Sequence, residues 1–294
     1  MIKVRVPATS ANFGPGFDSI GLALSLYNTV EMEEWDSVLI ESDDEIKITS
    51  ENENLVVQTM KDFYKVAGKK FTGIHIIQKS DIPMTRGLGS SSACVIAGLY
   101  GANALLGSPM TELELIDHAV EIEGHPDNVV PAAVGGFTVS TVDEGKTHFI
   151  KTEIGDEINF AVFVPDFEMK TSFARKILPS SVSLEDTIFN LSHAALAASA
   201  FIKKDYSLLK YAVSDKLHEP YRLPLIHGAD DIISMAKDLG AYATYLSGAG
   251  SSIISVVSSN DTRFEQKASA FLKNSESLFN VAMLRPDNQG AAIL

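Results

Sequence analysis

The chain has 294 residues, of which 45% are hydrophobic and 21% are charged. This composition excludes an intrinsically disordered chain, and the length is enough for two packed lobes. The formal net charge of −14 disfavours nucleic acids and anionic membranes as partners, because an acidic surface repels both. An anionic ligand would need local positive potential from backbone N–H groups, a helix N-terminus, a few basic side chains or a bound cation.

A single cysteine, Cys94, excludes an intrachain disulfide and is compatible with a reducing compartment. The N-terminal residues alternate like a strand and do not resemble a signal peptide, and no apolar run reaches transmembrane length. We therefore expect a cytoplasmic protein. A homodimer is compatible with these features but is not specified by them.

Apolar residues that alternate or are β-branched predict strands in both halves of the chain. In chain order the predicted strands cover residues 2–7, 20–26, 29–32, 38–40, 73–78, 137–142, 147–152, 158–164, 241–246, 252–257 and 278–284. Helical periodicity predicts helices over residues 54–65, from the turn at 83–89 to about residue 106, from Thr111 onward, over 184–213 with a break near Asp205, over 230–239 and over 261–273. Thr111 and Glu114 are spaced as a capping box at the start of their helix.

Strands and helices do not alternate regularly, so the predicted fold class is α+β and not a doubly wound parallel sheet. The last third of the chain reads as a β-β-α-β layer. A boundary near residues 150–160 predicts two domains, residues 1–155 and residues 156–294.

The sequence PMTRGLGSSSACVIAG, residues 83–98, carries the strongest chemical signal. Gly87 and Gly89 permit positive φ angles and close approach of the backbone, and three serines stand where the following helix begins. The N–H groups and the dipole of a helix start attract phosphate. A simple turn is the alternative, but two glycines and three hydroxyls between a strand and an apolar helix favour a phosphate-binding loop. The motifs of Walker A loops, dinucleotide folds and nucleophile elbows do not match.

Two further regions carry groups suited to an amino acid ligand. The stretch VPATSANFGPGFDSIGLAL, residues 6–24, contains Asn12 and Asp18. Asp18 could pair with an ammonium group and Asn12 could bond polar ends of the same molecule, although both residues could instead cap tight turns. A planar guanidinium, such as that of Arg175 or Arg222, can grip a carboxylate with two parallel bonds. Taken alone, each arginine would be read as an ordinary surface residue.

Acidic and histidine side chains are concentrated in EIEGHPDNVVPAAVGG, residues 121–136. A carboxylate oxygen together with substrate phosphates is what Mg²⁺ prefers. The alternative interpretation places Glu121 and Glu123 in a solvated last helical turn and His125 at a helix C-terminus, where it would stabilise the dipole.

These stretches resemble the GHMP kinase family over nearly the whole chain. Residues 83–93 match the family's second motif, P-x3-G-L-G-S-S-x-A, and residues 245–257 (YLSGAGSSIISVV) resemble its third motif. The resemblance implies a two-lobed GHMP kinase fold, with an N-terminal ribosomal-protein-S5-domain-2-like lobe that binds ATP and a C-terminal ferredoxin-like lobe. It also implies that the loop with Gly248 and Gly250 closes against the phosphate loop, where an ordinary hairpin turn is the alternative.

The resemblance also implies roles for individual residues. ATP would be bound by Asn54, at the adenine, and by Pro83, Met84, Thr85, Arg86, Gly87, Leu88, Gly89, Ser90, Ser91, Ser92 and Ala93. Mg²⁺ would be held by Ser91 (or Ser90) with Glu121, for which Glu123 is the alternative. The acceptor would contact Asn12, Asp18, His125, Arg175 and Arg222, and the catalytic set would be Ser91, Glu121, Thr171 and Arg175.

The string SAN-x-G-x-GFD, which ends at Asp18, resembles the branch of the family that phosphorylates an amino acid. The implied reaction transfers the γ-phosphoryl group of ATP to the side-chain hydroxyl of L-homoserine, giving O-phospho-L-homoserine in threonine biosynthesis. Alternatives are a GHMP kinase for another small alcohol, such as mevalonate or a sugar, and a non-catalytic nucleotide-binding regulator of the same fold.

A hydrolase with Ser91, His125 and Asp127 is the least favoured alternative, because a His and an Asp two residues apart are not expected to face each other suitably. In a kinase, Asp127 could act as a general base or could order the loop beside Asn128. The second role is preferred, since a loose phosphoryl transfer needs little deprotonation of the hydroxyl.

Overall fold

The structure is a computed structural model that describes residues 1–42, 48–169, 171–275 and 277–294. The strands in these ranges are β1 (Ile2–Ala11), β2 (Ile20–Glu34), β3 (Val38–Ser42), β4 (Ile74–Ser80), β5 (Phe137–Asp143), β6 (Lys146–Thr152), β7 (Ile158–Pro165), β8 (Ala243–Leu246), β9 (Ile253–Ser258), β10 (Phe279–Leu284) and β11 (Ala292–Ile293). The α-helices are α1 (Leu55–Val66), α2 (Ser90–Leu105), α3 (Glu112–Glu123), α4 (Pro126–Val134), α5 (Thr171–Lys176), α6 (Leu184–Ile202), α7 (Leu209–Ala212), α8 (Glu219–Arg222), α9 (Ala229–Asp238) and α10 (Phe264–Asn274). None of these helices is both long and apolar enough to span a membrane.

The first sheet has the strand order β11-β1-β2-β4-β3, and β5 and β6 extend it from β2. Its pairs are antiparallel except for β3 and β4, which run parallel. Helices α2 and α4 pack on β1 and β2, and α1 packs on α2. Close packing of α1 and α2 depends on Gly98, because a Cβ there would lie 2.8 Å from the carbonyl oxygen of Val56.

The second sheet is antiparallel in the order β10-β7-β9-β8, with α9 on β8 and β9 and α10 on β10. The predicted β-β-α-β layer is therefore confirmed, and β7 joins it between β10 and β9. Aromatic rings tie α6 to the first sheet: Phe201 stacks on Phe137 at a centroid distance of 4.1 Å, and both rings contact Phe13 edge-on. The domain boundary at residue 155 stays a prediction.

The elements predicted from periodicity agree with the structure. The long helical segment breaks after Ile202, as predicted near Asp205, and the capping box of Thr111 and Glu114 is formed in both directions. Helix α4 was not predicted as a separate element, because it contains Pro131 and proline usually disfavours a helix interior, whereas Pro126 stands at the first helical position, where proline is common. The interpretation of His125 as a helix C-terminal residue is wrong, since this residue is the N-cap of α4.

Candidate active site

A cleft of about 880 Å³ is lined by the N-terminal end of α2 and by the start of α5. Residues from both sheets' connecting loops and from α8 complete its wall. Most of the predicted site residues line it, namely Asn12, Asp18, Asn54, residues 83–92, His125, Thr171, Arg175 and Arg222. Ala93 instead lies fully buried in the core, one turn inside α2.

The glycines of the phosphate-type loop adopt the left-handed conformation that the sequence predicts. Gly87 has φ +74° and Gly89, the N-cap of α2, has φ +70°. A Cβ at Gly89 would lie 1.9 Å from Oγ1 of Thr9, so only glycine lets the loop pass this side chain. The N-cap residue Gly89 has no side chain that could bond the first N–H groups of α2, which are therefore suited to an anion.

Two neighbouring segments fix the loop. The backbone N–H of Thr9 in β1 donates to the carbonyl of Leu88 at 3.1 Å. From the turn between β8 and β9, the hydroxyl of Ser247 donates to the carbonyl of Gly87 at 2.6 Å, and the N–H of Ser252 donates to the carbonyl of Arg86 at 3.1 Å. The prediction that this turn closes against the phosphate loop is confirmed.

Glu123, and not Glu121, is the carboxylate that reaches the loop. The hydroxyl of Ser91 donates to Oε1 of Glu123 at 2.6 Å, and that of Ser92 donates to Oε2 at 2.7 Å. Glu121 lies outside the cleft with its side chain 80% exposed, 3.5 Å from His118. Residues that are two positions apart on an α-helix differ by about 200° of rotation about its axis, so Glu121 and Glu123 point to opposite sides of α3. The structure therefore places Glu121 away from the loop and Glu123, the alternative given by the sequence, against it, and a metal role for either stays a prediction.

His125 and Asp127 contact each other across the first turn of α4. Nδ1 of His125 lies 2.7 Å from Oδ1 of Asp127, which is almost completely buried. Burial acts to lower the pKa of His125, but the hydrogen bond and charge of Asp127 outweigh it and raise that pKa. The expectation that the two side chains do not face each other is wrong. A hydrolytic triad still does not form, because the hydroxyl of Ser91 donates to Glu123.

Asp18 and Arg175 form a bidentate ion pair in the cleft. Nη2 of Arg175 donates to Oδ1 of Asp18 at 2.7 Å, and Nη1 donates to Oδ2 at 2.9 Å. The hydrogen bond with Asp18 raises the pKa of Arg175. Ligand atoms of Asp18, His125 and Asp127 also lie within 4.8 Å of one another, a spacing that could hold a cation. Both oxygens of Asp18 are engaged in the ion pair, and Nδ1 of His125 and Oδ1 of Asp127 are engaged with each other.

Arg222 is buried against the back of the cleft. Its Nε donates to the carbonyl of Ala174 at 3.2 Å, and its Nη1 donates to the carbonyl of Gly248 at 3.1 Å. Burial, followed by the charge of Arg175, lowers the pKa of Arg222 to about 10. The interpretation of Arg222 as an ordinary surface residue is therefore wrong, since the residue is buried. The guanidinium groups of Arg175 and Arg222 both contribute positive charge to the cleft of this acidic protein.

The two predicted asparagines make internal hydrogen bonds. Asn12 accepts from the N–H of Asp18 at 3.2 Å and donates to the carbonyl of Gly248 at 2.9 Å, so it organises the turn that carries Asp18. Asn54 is the N-cap of α1 and accepts from the N–H of Val57. Their contacts with a ligand stay predictions.

Phe17 is a site residue that the sequence did not single out. Its ring lies beneath both guanidinium groups, 5.5 Å from that of Arg175 and 5.3 Å from that of Arg222. An aromatic residue beside Asp18 was visible in the sequence, but only the fold brings the two arginines from distant segments onto one ring.

Comparison with known proteins gives two family matches. Residues 54–136 match the model of the GHMP kinases N terminal domain, and residues 197–274 match the model of the GHMP kinases C terminal domain. Homoserine kinase of Clostridium beijerinckii is 44% identical, with 100% of this chain and 99% of the relative covered. Homoserine kinase of Caldicellulosiruptor saccharolyticus is 43% identical over 100% of this chain and 96% of the relative.

A solved structure agrees with these sequence matches. The crystal structure of homoserine kinase from Cytophaga hutchinsonii is 28% identical and superposes with a TM-score of 0.87, covering 100% of this chain and 97% of the other. The fold, the cleft and the full-length relatives thus agree. The chain therefore belongs to the GHMP kinase family, and within it to the homoserine kinases.

Proposed function

We propose that the protein transfers the γ-phosphoryl group of ATP to the side-chain hydroxyl of L-homoserine, giving O-phospho-L-homoserine in threonine biosynthesis, in the cytoplasm. One observation carries the proposal: a single cleft holds both an uncapped helix start behind a glycine-serine loop and a carboxylate with two guanidinium groups. The first set of groups suits a polyphosphate, and the second suits a small zwitterion.

Residues 87–92 would receive the phosphates of ATP on the N–H groups at the start of α2. Glu123, Ser91 and Ser92 would hold Mg²⁺, because a carboxylate and two hydroxyls that converge at 2.6–2.7 Å supply the hard oxygen ligands this ion prefers. Bound there, Mg²⁺ would neutralise charge on the phosphoryl oxygens. Asn54, which lines the same cleft, would contact the adenine.

On the acceptor side, Asp18 would bind the ammonium group of L-homoserine and Arg175, with Arg222 behind it, would bind the carboxylate. His125, which lines the cleft and is paired through Nδ1 with Asp127, would contact the substrate, and Thr171 would lie near the reacting hydroxyl. Asp127 would orient His125 and not act as a base, since its Oδ1 is engaged at 2.7 Å. Catalysis would then rest on positioning and electrostatic stabilisation.

The presence of Asp18 argues against mevalonate as the acceptor. Mevalonate carries a carboxylate that an arginine could bind, but it has no ammonium group to pair with Asp18. A galactose-like sugar has no charged group that could bind either Asp18 or Arg175. L-homoserine carries both charges on one carbon, as the two facing side chains require.

Purified protein with ATP and Mg²⁺ tests the proposal against a panel of acceptors: L-homoserine, mevalonate, galactose and L-serine. We expect ADP release with L-homoserine at a kcat/KM at least tenfold above that with any other acceptor. L-serine is a matched control, since it keeps both charges and shortens the side chain by one methylene. ADP release with mevalonate and none with L-homoserine would contradict the proposal.

A further inference from the structure

The Asp18–Arg175 ion pair occupies the place where the charged ends of the acceptor are expected. Both oxygens of Asp18 and both terminal nitrogens of Arg175 are used in this pair. If the proposed function holds, the charged groups of the substrate compete for the atoms that now join Asp18 to Arg175. We propose that L-homoserine binds by exchange: its ammonium and carboxylate groups split the Asp18–Arg175 pair, which closes this part of the cleft to molecules that carry only one of the two charges.

The backbone on each side of the pair is held in place, so the exchange needs only side-chain rotation. The N–H of Asp18 is fixed by Asn12, and the carbonyl of Ala174 is fixed by Arg222. The side chains themselves are 35% exposed at Asp18 and 40% exposed at Arg175, which leaves them room to turn. Contact with the Phe17 ring would keep the Arg175 guanidinium near the cleft after the pair opens.

Charge balance makes the exchange selective. The ion pair is neutral and so is a zwitterion, so binding replaces one ion pair by two without adding charge to the cleft. The other charged or titratable groups that act on the pair are His125, Asp127, His218 and Arg222, and none of them needs to change. A ligand with a single charge would release one side chain into the cleft without an ionic partner, in addition to making one contact fewer.

Two analogues isolate the two charges of L-homoserine. γ-Hydroxybutyrate lacks the ammonium group, and propanolamine lacks the carboxylate. Each must compete with the internal pair in the native protein. Asp18→Asn frees Arg175 from its competitor, and Arg175→Gln frees Asp18. Asparagine is suited to position 18 because it tolerates the left-handed conformation there, where φ is +55°.

Dissociation constants from isothermal titration test the exchange. We expect γ-hydroxybutyrate to bind Asp18→Asn about two- to fivefold more tightly than the native protein, the range of a partly exposed ion pair. Propanolamine is expected to bind Arg175→Gln more tightly by a similar factor. L-homoserine should show no such gain in either variant, because each variant removes one ionic contact with the substrate together with the internal pair. Glu31→Gln, which breaks the Lys3–Glu31 pair outside the cleft, is the matched control and should change none of these constants.

Analogues that bind the matching variants no more tightly than the native protein would overturn the exchange. A crystal of the native protein with L-homoserine gives a second test that needs no variant. The Asp18–Arg175 distances should then exceed hydrogen-bonding range, and an intact bidentate pair beside bound substrate would also overturn the exchange. The proposed function is judged separately, by turnover of L-homoserine in the native protein.

Discussion

Substituting Glu123 tests the candidate metal site most directly, because Glu121 provides a matched control two residues away. Glu123→Gln removes the negative charge and leaves a single acceptor oxygen for the two serine hydroxyls, which now bond at 2.6 and 2.7 Å. Removing one well-placed electrostatic contact from a transition state typically costs about 2.7–4 kcal/mol. We therefore expect kcat/KM to fall by a factor of about 10²–10³.

Glu121→Gln should behave differently, since its side chain is 80% exposed and lies outside the cleft. Exposed substitutions of this kind usually change free energies by no more than about 0.5 kcal/mol, or roughly a factor of two in rate. The assay is ADP release with L-homoserine over a series of Mg²⁺ concentrations. Only Glu123→Gln should need more Mg²⁺ for half-maximal activity. Equal losses in the two variants, or a Glu123→Gln enzyme within about threefold of native activity, would refute the assignment.

Three further predictions concern the loop, the buried carboxyl and the core. Gly87→Ala should lower the free energy of unfolding by roughly 1–3 kcal/mol and weaken ATP binding, because its Cβ would lie 2.2 Å from a carbonyl oxygen of the neighbouring turn. Gly68→Ala, also at positive φ but with open space around it, should leave ATP binding unchanged in the same titration. Burial raises the pKa of Glu219 to about 8, above its ordinary value of 4.5, so the folded state binds this proton more tightly. The free energy of unfolding should thus decline as pH rises from about 4.5 to 8, and urea titrations of Glu219→Gln should show a shallower decline. Phe201→Ala, which removes the ring stacked on Phe137, should cost about 3–5 kcal/mol by the same titration, and a loss below about 1 kcal/mol would contradict the stacked core.

Local signals in the sequence were enough to predict the phosphate-type loop. A few adjacent residues are enough to predict this loop: Gly87 and Gly89 permit positive φ angles, and the serines after them mark the start of a helix. The capping box at Thr111 is local in the same way. Their backbone conformations can be predicted from neighbours along the chain, although distant residues such as Thr9 and Ser247 also hold the loop in place.

Features that depend on distant segments could not be predicted in this way. The choice between Glu121 and Glu123 depends on which side of α3 faces α2, and both residues stand in the same E-x-E-G string. The pairing of Asp18 with Arg175 joins segments 157 positions apart. The burial of Arg222 depends on the turn at Gly248, which accepts its Nη1 hydrogen bond.

Strand β11 pairs with β1, so the first sheet joins residues from the start of the chain to residues beyond position 290. Val4 pairs with Ile293, Arg5 pairs with Ala292, and the N–H of Leu294 donates to the carbonyl of Lys3, so residues 292–294 cover the start of β1 along this edge. The same segment braces α4, where the N–H of Ala291 donates to the carbonyl of Ala133. During translation, this edge of β1 therefore stays unpaired until residues 292–294 have been synthesised. Until then it is accessible to chaperones and to strand pairing with other nascent chains.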